Sequence, residues 1–292
     1  MLGRSSSLVR TLALRAINGH TTNLNLEDFN KYVKNKYAES YQNTIMCYVK
    51  RYYQFIDNPK ALEQLPYTIR NNCIKSLIIL SKYLGIYTEF IDSLKKYGIK
   101  TTTQDSFNSF LRIFNVSSNG NNILEWYGTA ISNLRDNEKT LLKFLLYSGI
   151  RKEEAIMSFN KIIELHRLNR LDEYYNKQLS CLMHFKYPKE FIRKTKNCFI
   201  TFINIDLVNE IANSETVSYQ AIIKRLHRKN IKCRINELRD YYGTYLLQHG
   251  ILEQEVNLCQ GRIPPSIFVK HYWSPKLSEL RDRIFKALSE IE

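Results

Sequence analysis

At 292 residues the chain is longer than one hydrophobic core ordinarily sustains, and its 44% hydrophobic content allows a core in each of two domains, so a disordered polypeptide is excluded. Lys and Arg number 43 against 28 Asp and Glu, and the net charge of +15 favours a polyanionic partner through counterion release; an anionic membrane surface is the other common target of such a charge. No run approaches the roughly 20 apolar residues of a membrane span, and the six cysteines form no C-x-x-C pair, so neither a spanning protein nor a zinc site is expected, only buried free thiols in a reducing interior.

In chain order, residues 1–20 read as a basic arm. Arg10 and Arg15 interrupt the apolar residues that a secretory signal would need unbroken, and a transit peptide is the alternative. Helical periodicity then runs from Leu26 to Tyr37, Glu39 to Ile56, Pro66 to Leu84 and Thr88 to Tyr97, with Gly85 and Gly98 as stops. This predicts a helical domain over residues 21–100. The first hundred residues hold 15 basic and 7 acidic side chains. Lys50 and Arg51 beside Tyr52 and Tyr53, followed by Arg70, Lys75 and Lys82, are the candidate DNA-binding set, with charges for phosphates and rings for sugars; taken singly, each charge also fits a solvated helix face.

Thr101-Thr102-Thr103 and the polar run from Asn115 to Asn122 mark a linker, and a second domain is expected over 101–292. Helices resume from Ile123 to Leu134 and, capped by Asp136 or Asn137, from Glu138 to Tyr147; Gly149 breaks the helix and presents Arg151 from the loop. Residues 181–187 and 197–203 are rich in β-formers and predict a hairpin with Lys196 at its tip or at the start of its second strand. Helix starts follow near Asp206, Ser218, Asn236 and Glu253. Asn236 reads as an N-cap with Arg239 in the first turn, a seat for phosphate. The fold class is thus mainly α with a small β-hairpin or sheet.

Arg151, Lys196, Asn236, Arg239, Arg262 and Tyr272 form a spaced basic set ending in a phenol. Permanently charged guanidinium groups can stabilise charge that builds on phosphate oxygens, and nearby cations favour the phenolate of a tyrosine whose ordinary pKa is about 10. Lysine can lose its proton when desolvated and so can serve as a general acid. Tyr241 and Tyr242, close to Arg239, compete with Tyr272 as nucleophile, and Lys194 competes with Lys196.

Four segments carry a family resemblance: Tyr147-Ser148-Gly149-Ile150-Arg151-Lys152-Glu153-Glu154-Ala155, Thr195-Lys196, Asn236-Glu237-Leu238-Arg239-Asp240-Tyr241-Tyr242, and Gln260-Gly261-Arg262 through His271-Tyr272. In their order and spacing they resemble the tyrosine recombinases, or phage integrases, and within them the integrases of crenarchaeal viruses and plasmids. Tyr83-Leu84-Gly85 through Lys100 is similar to the N-terminal DNA-binding part of those proteins.

The resemblance implies that Arg151 and Arg239 hold the non-bridging oxygens of a scissile phosphate, that Glu154 supports Arg151, that Lys196 protonates the leaving 5′ oxygen and that Tyr272 forms a 3′-phosphotyrosine. No metal, ATP or other cofactor is implied. Asn236 stands where the wider family has a histidine, and an amide cannot act as a base; Arg262 stands where histidine or tryptophan is commoner, and His271 is a supporting candidate for proton traffic, packing or capping being the other reading.

The implied partners are double-stranded DNA at a recombination site and a homotetramer assembled on it, with an apolar stripe of Leu277, Leu280, Ile284, Leu288 and Ile291 docking on a neighbouring protomer or packing on its own domain. The implied setting is the host cytoplasm, at the nucleoid. A dimer resolvase, a type IB topoisomerase and a DNA-binding protein of this fold without catalysis are the alternatives.

Overall fold

A computed structural model describes residues 24–99, 110, 122–193, 196–263 and 266–291, and its contacts divide the chain into two units, Met1–Asn115 and Val116–Glu292. The basic arm, the Thr101-Thr102-Thr103 linker, Lys194-Thr195 and Pro264-Pro265 lie outside the described residues.

In the first unit Asn25 caps α1 (Leu26–Lys34), its side-chain oxygen accepting from the backbone N–H groups of Glu27 and Asp28. Helix α2 (Glu39–Tyr52) tightens into a 3-10 turn, Tyr53–Ile56, and a second such turn spans Pro59–Gln64. The sequence pattern predicts one helix through Ile56. The α-conformation ends earlier because Tyr52 has φ −133° and ψ 13°. Helix α3 (Tyr67–Leu84) stops at Gly85, whose φ of 76° suits a residue without Cβ, and α4 (Tyr87–Lys96) follows. On α3, Ile74, Leu77 and Leu80 repeat at three-residue steps and pack with Phe29, Val33, Ile45, Val49, Phe90 and Leu94 into one core. Each such side chain contributes about 1.5–3 kcal/mol by leaving water.

The second unit opens with α5 (Asn122–Ile131), α6 (Asp136–Ser148) and α7 (Lys152–Arg167). At the start of α6 the Glu138 carboxylate accepts from the Arg135 N–H at 3.0 Å and pairs with Arg225 at 2.7 Å. A small antiparallel sheet in the order β1-β2-β3 follows (Tyr175–Asn176, Cys181–Leu182, Thr201–Phe202), with Tyr175 opposite Leu182 and Cys181 opposite Phe202.

The hairpin expected over 181–187 and 197–203 is therefore shorter than its β-forming residues suggest, and β1 is additional. Two local features cut the first run short. The His184 ring is buried in a 3-10 turn, hydrogen-bonded to Tyr174 and Thr201, and Pro188 opens a helical turn, α8 (Pro188–Phe191), where its missing N–H costs nothing.

Among the described residues the unit is completed by α9 (Ile205–Ala212), α10 (Tyr219–Arg228), α11 (Ile235–Gln248), α12 (Glu253–Cys259), the short α13 (Ile267–His271) and α14 (Leu277–Leu288). Helices α6 and α11 pack side by side through Leu142, Leu145, Leu238, Tyr242 and Leu246, all in one core. The stripe on α14 closes onto that same core: Leu280 and Ile284 are fully buried, and the Tyr245 hydroxyl donates to the Ala287 carbonyl at 3.2 Å. In this structure the stripe thus packs on its own unit, with Leu277 half-buried at its start.

The expectation of buried thiols holds for Cys73, Cys181, Cys198 and Cys259 but fails for Cys47, which is exposed, and Cys233, which is half-buried. Cys47 sits two residues from both Ile45 and Val49, which face the core, so the helical period turns it outward. Among the described residues no helix is long and apolar enough to cross a membrane.

Candidate active site: a guanidinium cluster around Glu154

Gly149 ends α6 in the left-handed region, with φ 60°, and two residues later Arg151 stands at the N-cap of α7. Its Nη1 donates to the Asn197 carbonyl at 3.2 Å and lies 3.5 Å from Glu154 Oε1. Glu154, in the first turn of α7, is wholly buried. Oε1 also pairs with Arg193 Nη2, while Oε2 has no hydrogen-bond partner among the described residues. A buried carboxylate is tolerable only beside compensating charge, and two guanidinium groups supply it here.

Asn197 forms an antiparallel bridge with Ile192, which brings the backbone of Lys196 beside that of Arg193. Lys196 is exposed. Arg193 Nε donates to the Lys196 carbonyl at 3.3 Å, and the Arg193 N–H donates to Asn197 Oδ1 at 2.9 Å.

Arg239 projects from α11 and is 9% exposed. Its Nη1 donates to the Gly149 carbonyl and its Nη2 to the Gln260 carbonyl, both at 2.8 Å, while Gln260 Nε2 donates back to the Arg239 carbonyl at 3.0 Å. Gly261 then turns the chain with φ 70°; a Cβ there would stand 1.8 Å from the Asn197 carbonyl oxygen, so only glycine fits. Arg262 follows, exposed. Four segments distant in sequence thus meet through their backbones.

Burial, then the neighbouring charges of Arg151 and Arg262, lower the Arg239 guanidinium to about 10, with Glu154 opposing them. Arg239 therefore interacts with both other arginines of the sequence set. Burial, and next Glu154, push the Cys198 thiol beneath them up to about 12. Arg151, Arg193 and Arg239 all feel the one carboxylate of Glu154, and Arg262 adds its charge beside Arg239, an excess of positive charge that an anion would relieve. Among the described residues no group of three or more His, Cys, Asp and Glu side chains could hold a metal ion.

Asn236 is not an N-cap: α11 begins at Ile235 after Arg234, whose side chain pairs with Glu237 at 2.6 Å, leaving Asn236 exposed at the second helical position. Arg239 therefore lies beyond the first turn, outside the reach of the helix N-terminus, and the expected seat is not formed there.

Tyr272 follows α13, 74% exposed, its ring 6.4 Å from that of His271, which is also exposed. Among the described residues no hydrogen bond joins the Tyr272 side chain to the arginines. Of the competing phenols, Tyr242 is fully buried with its ring against Gly149, and Tyr241 packs on Tyr245 with ring centroids 5.5 Å apart.

In the first unit Lys50 and Arg51 are exposed at the C-terminal end of α2, and Lys75 and Lys82 are exposed seven residues apart on one face of α3. Lys82 Nζ sits 4.9 Å from the Tyr87 ring centroid. Arg70 is already engaged: it donates to the Glu63 and Leu65 carbonyls, each at 3.0 Å, closing the end of the 3-10 turn.

Two members of the cluster escape the sequence pattern. Arg193 is one cation in a basic run whose lysines draw the attention, and Gln260, although it opens the Gln260-Gly261-Arg262 segment, has no role assigned to it in the sequence.

The description of the matching family model is archaeal phage integrase, and the match covers residues 116–289. The chain belongs to that family. The matched span opens where the second unit does and holds every residue of the cluster. No curated protein matches the chain.

Proposed function

We propose that this integrase-family protein is a tyrosine site-specific recombinase that cuts and rejoins DNA through a 3′-phosphotyrosine intermediate, serving the integration or excision of a mobile element. The observation that carries the reading is that Arg151 and Arg262 lie close enough to the buried Arg239 for their charges to act on it, while the Gly149 and Gln260 carbonyls hold its guanidinium in place. A phosphodiester bound there would have its non-bridging oxygens facing Arg151 and Arg239, with Arg262 adding a further permanent charge.

In this reading Tyr272 attacks phosphorus; the Tyr272 oxygen–phosphorus bond forms, the bond from phosphorus to the 5′ oxygen breaks, and Lys196 gives that oxygen a proton. The phenol's own proton goes to an acceptor for which His271, beside it, is the candidate. Asn236 is left to orient a group by hydrogen bonding. The ester conserves the energy of the broken bond, so rejoining is the same reaction reversed. Since among the described residues no hydrogen bond joins the exposed Tyr272 to the arginines, the reading has its segment brought to the seat by its own movement or by a second protomer, and assembly of a tetramer on DNA in the host cytoplasm belongs to the same reading. Lys50, Arg51, Lys75 and Lys82 would grip the DNA backbone, Arg70 contributing less because its Nε and Nη2 already donate to backbone carbonyls.

A second reading, a DNA-binding protein without catalysis, is favoured by the exposed amide of Asn236 in place of a base. A library of nicked duplexes incubated with the full chain separates the two. The recombinase traps covalent DNA whose sequence maps the cut, and Tyr272→Phe traps none. If the wild-type chain retains DNA but forms no adduct, the catalytic reading fails.

A further inference from the structure

The geometry points to Arg193 as a positioning residue for Lys196, a role that rests on the reading of Lys196 as the acid that protonates the leaving oxygen. The carbonyl oxygens of two consecutive residues, Lys196 and Asn197, are held by two different guanidinium groups: Arg193 Nε on the first at 3.3 Å and Arg151 Nη1 on the second at 3.2 Å. Both guanidinium groups turn to the same oxygen, Glu154 Oε1. The Asn197 side chain adds a third tie by accepting from the Arg193 N–H at 2.9 Å, and Gly261 presses flush against the Asn197 carbonyl from the other side.

The backbone at Lys196 is thereby fastened to the carboxylate that also holds Arg151. A lysine on an exposed turn has many rotamers and no fixed relation to a distant arginine. Here the backbone from which it springs is indexed to Arg151 through one buried carboxylate, so the backbone beneath the acid and the cation at the N-cap of α7 keep a fixed spacing. A planar guanidinium can donate to a carboxylate and a carbonyl at once, whereas a lysine in its place has a compact charge that cannot span both. Arg193 itself is 41% exposed and spends its identified donors on the protein.

The test uses the duplex that the wild-type chain is found to cut, made once with the ordinary bridging 5′ oxygen and once with sulfur in its place. A thiolate leaves without a proton, because a thiol has a pKa of about 8.5 and an alcohol does not approach that value. Rates of adduct formation are compared for wild type, Lys196→Ala, Arg193→Ala and Arg193→Lys; the last retains a positive partner for Glu154 and guards against a variant that merely fails to fold.

On the oxygen duplex the Arg193 variants are expected to lose about a hundredfold, the order of a small misplacement of a reacting group. On the sulfur duplex they and Lys196→Ala return to the wild-type rate. If Lys196→Ala is restored by sulfur and the Arg193 variants are not, Arg193 acts on something other than the acid and the inference is overturned while the reading of Lys196 stands. If sulfur fails to restore Lys196→Ala, that reading falls and the inference falls with it.

Discussion

The Gly149 carbonyl accepts a 2.8 Å hydrogen bond from Arg239 Nη1, across 90 residues of sequence. It ties the C-terminal stop of one helix to the side chain of another, and it depends on a glycine. At Gly149 the backbone has φ 60°, and an added Cβ would lie 2.0 Å from the Tyr242 ring. Gly149→Ala is expected to cost about 2–4 kcal/mol, from left-handed strain together with overpacking. Urea unfolding measures it, and combining the change with Tyr242→Leu should recover the packing part only. Recovery of the full loss would mean that backbone strain contributes nothing.

The cluster's excess of positive charge makes a prediction about anions. Arg239 is desolvated and repelled by Arg151 and Arg262, so an anion that binds the folded cluster stabilises it by linkage, by about 2.7 kcal/mol at a hundred times its dissociation constant. Inorganic phosphate should raise Tm above its value in chloride at equal ionic strength. Phosphate also stabilises proteins generally; that general part should survive in the Arg151→Ala Arg262→Ala variant and the specific part should vanish. Equal rises in both proteins would show that the arginines seat no phosphate.

Much of the fold was legible because it rests on local rules. The stops at Gly85 and Gly149 follow from backbone angles that only glycine adopts cheaply, and the helices of the first unit follow from apolar residues recurring at three- and four-residue steps. The site was legible as an ordered list of residue types. What sequence could not supply was the means by which they meet. The Asn236 cap failed because Arg234 and Glu237 pair across the turn instead, a choice that two charged neighbours make equally plausible in the sequence. The tie from Arg193 to Glu154 spans 39 residues and has no periodic signature, and the β-rich run through His184 was diverted by a buried imidazole whose partners, Tyr174 and Thr201, lie on other elements.

That imidazole should give the fold an acid limit. Burial lowers His184 from its ordinary 6.5 to about 3, with Tyr174 and Thr201 hydrogen-bonded to its two nitrogens. Below pH 6.5 the unfolded chain binds a proton here and the folded chain does not, so this contribution is complete above about 6.5 and is lost as the pH falls toward 3, by about 1.4 kcal/mol per pH unit. Urea midpoints for wild type and His184→Gln should converge as the medium is acidified through this window. Parallel curves would place the protonated ring comfortably in the fold, against its burial.

The terminal helix offers the remaining test, because its apolar stripe is buried in its own unit. Leu280 and Ile284 are fully buried, the Tyr147 hydroxyl reaches the Ile291 carbonyl at 3.5 Å, and Arg283 pairs with Glu255 at 3.0 Å. Truncating a buried leucine loses its transfer energy and leaves a cavity, so Leu280→Ala is expected to cost about 2–5 kcal/mol. If α14 packs in solution as it does here, that loss is the same at every protein concentration, since no partner supplies the covering surface. If α14 instead belongs to a neighbouring protomer, the unfolding midpoint of the wild type rises with concentration and Leu280→Ala removes the rise. Denaturation followed across a wide range of protein concentration distinguishes the two without DNA.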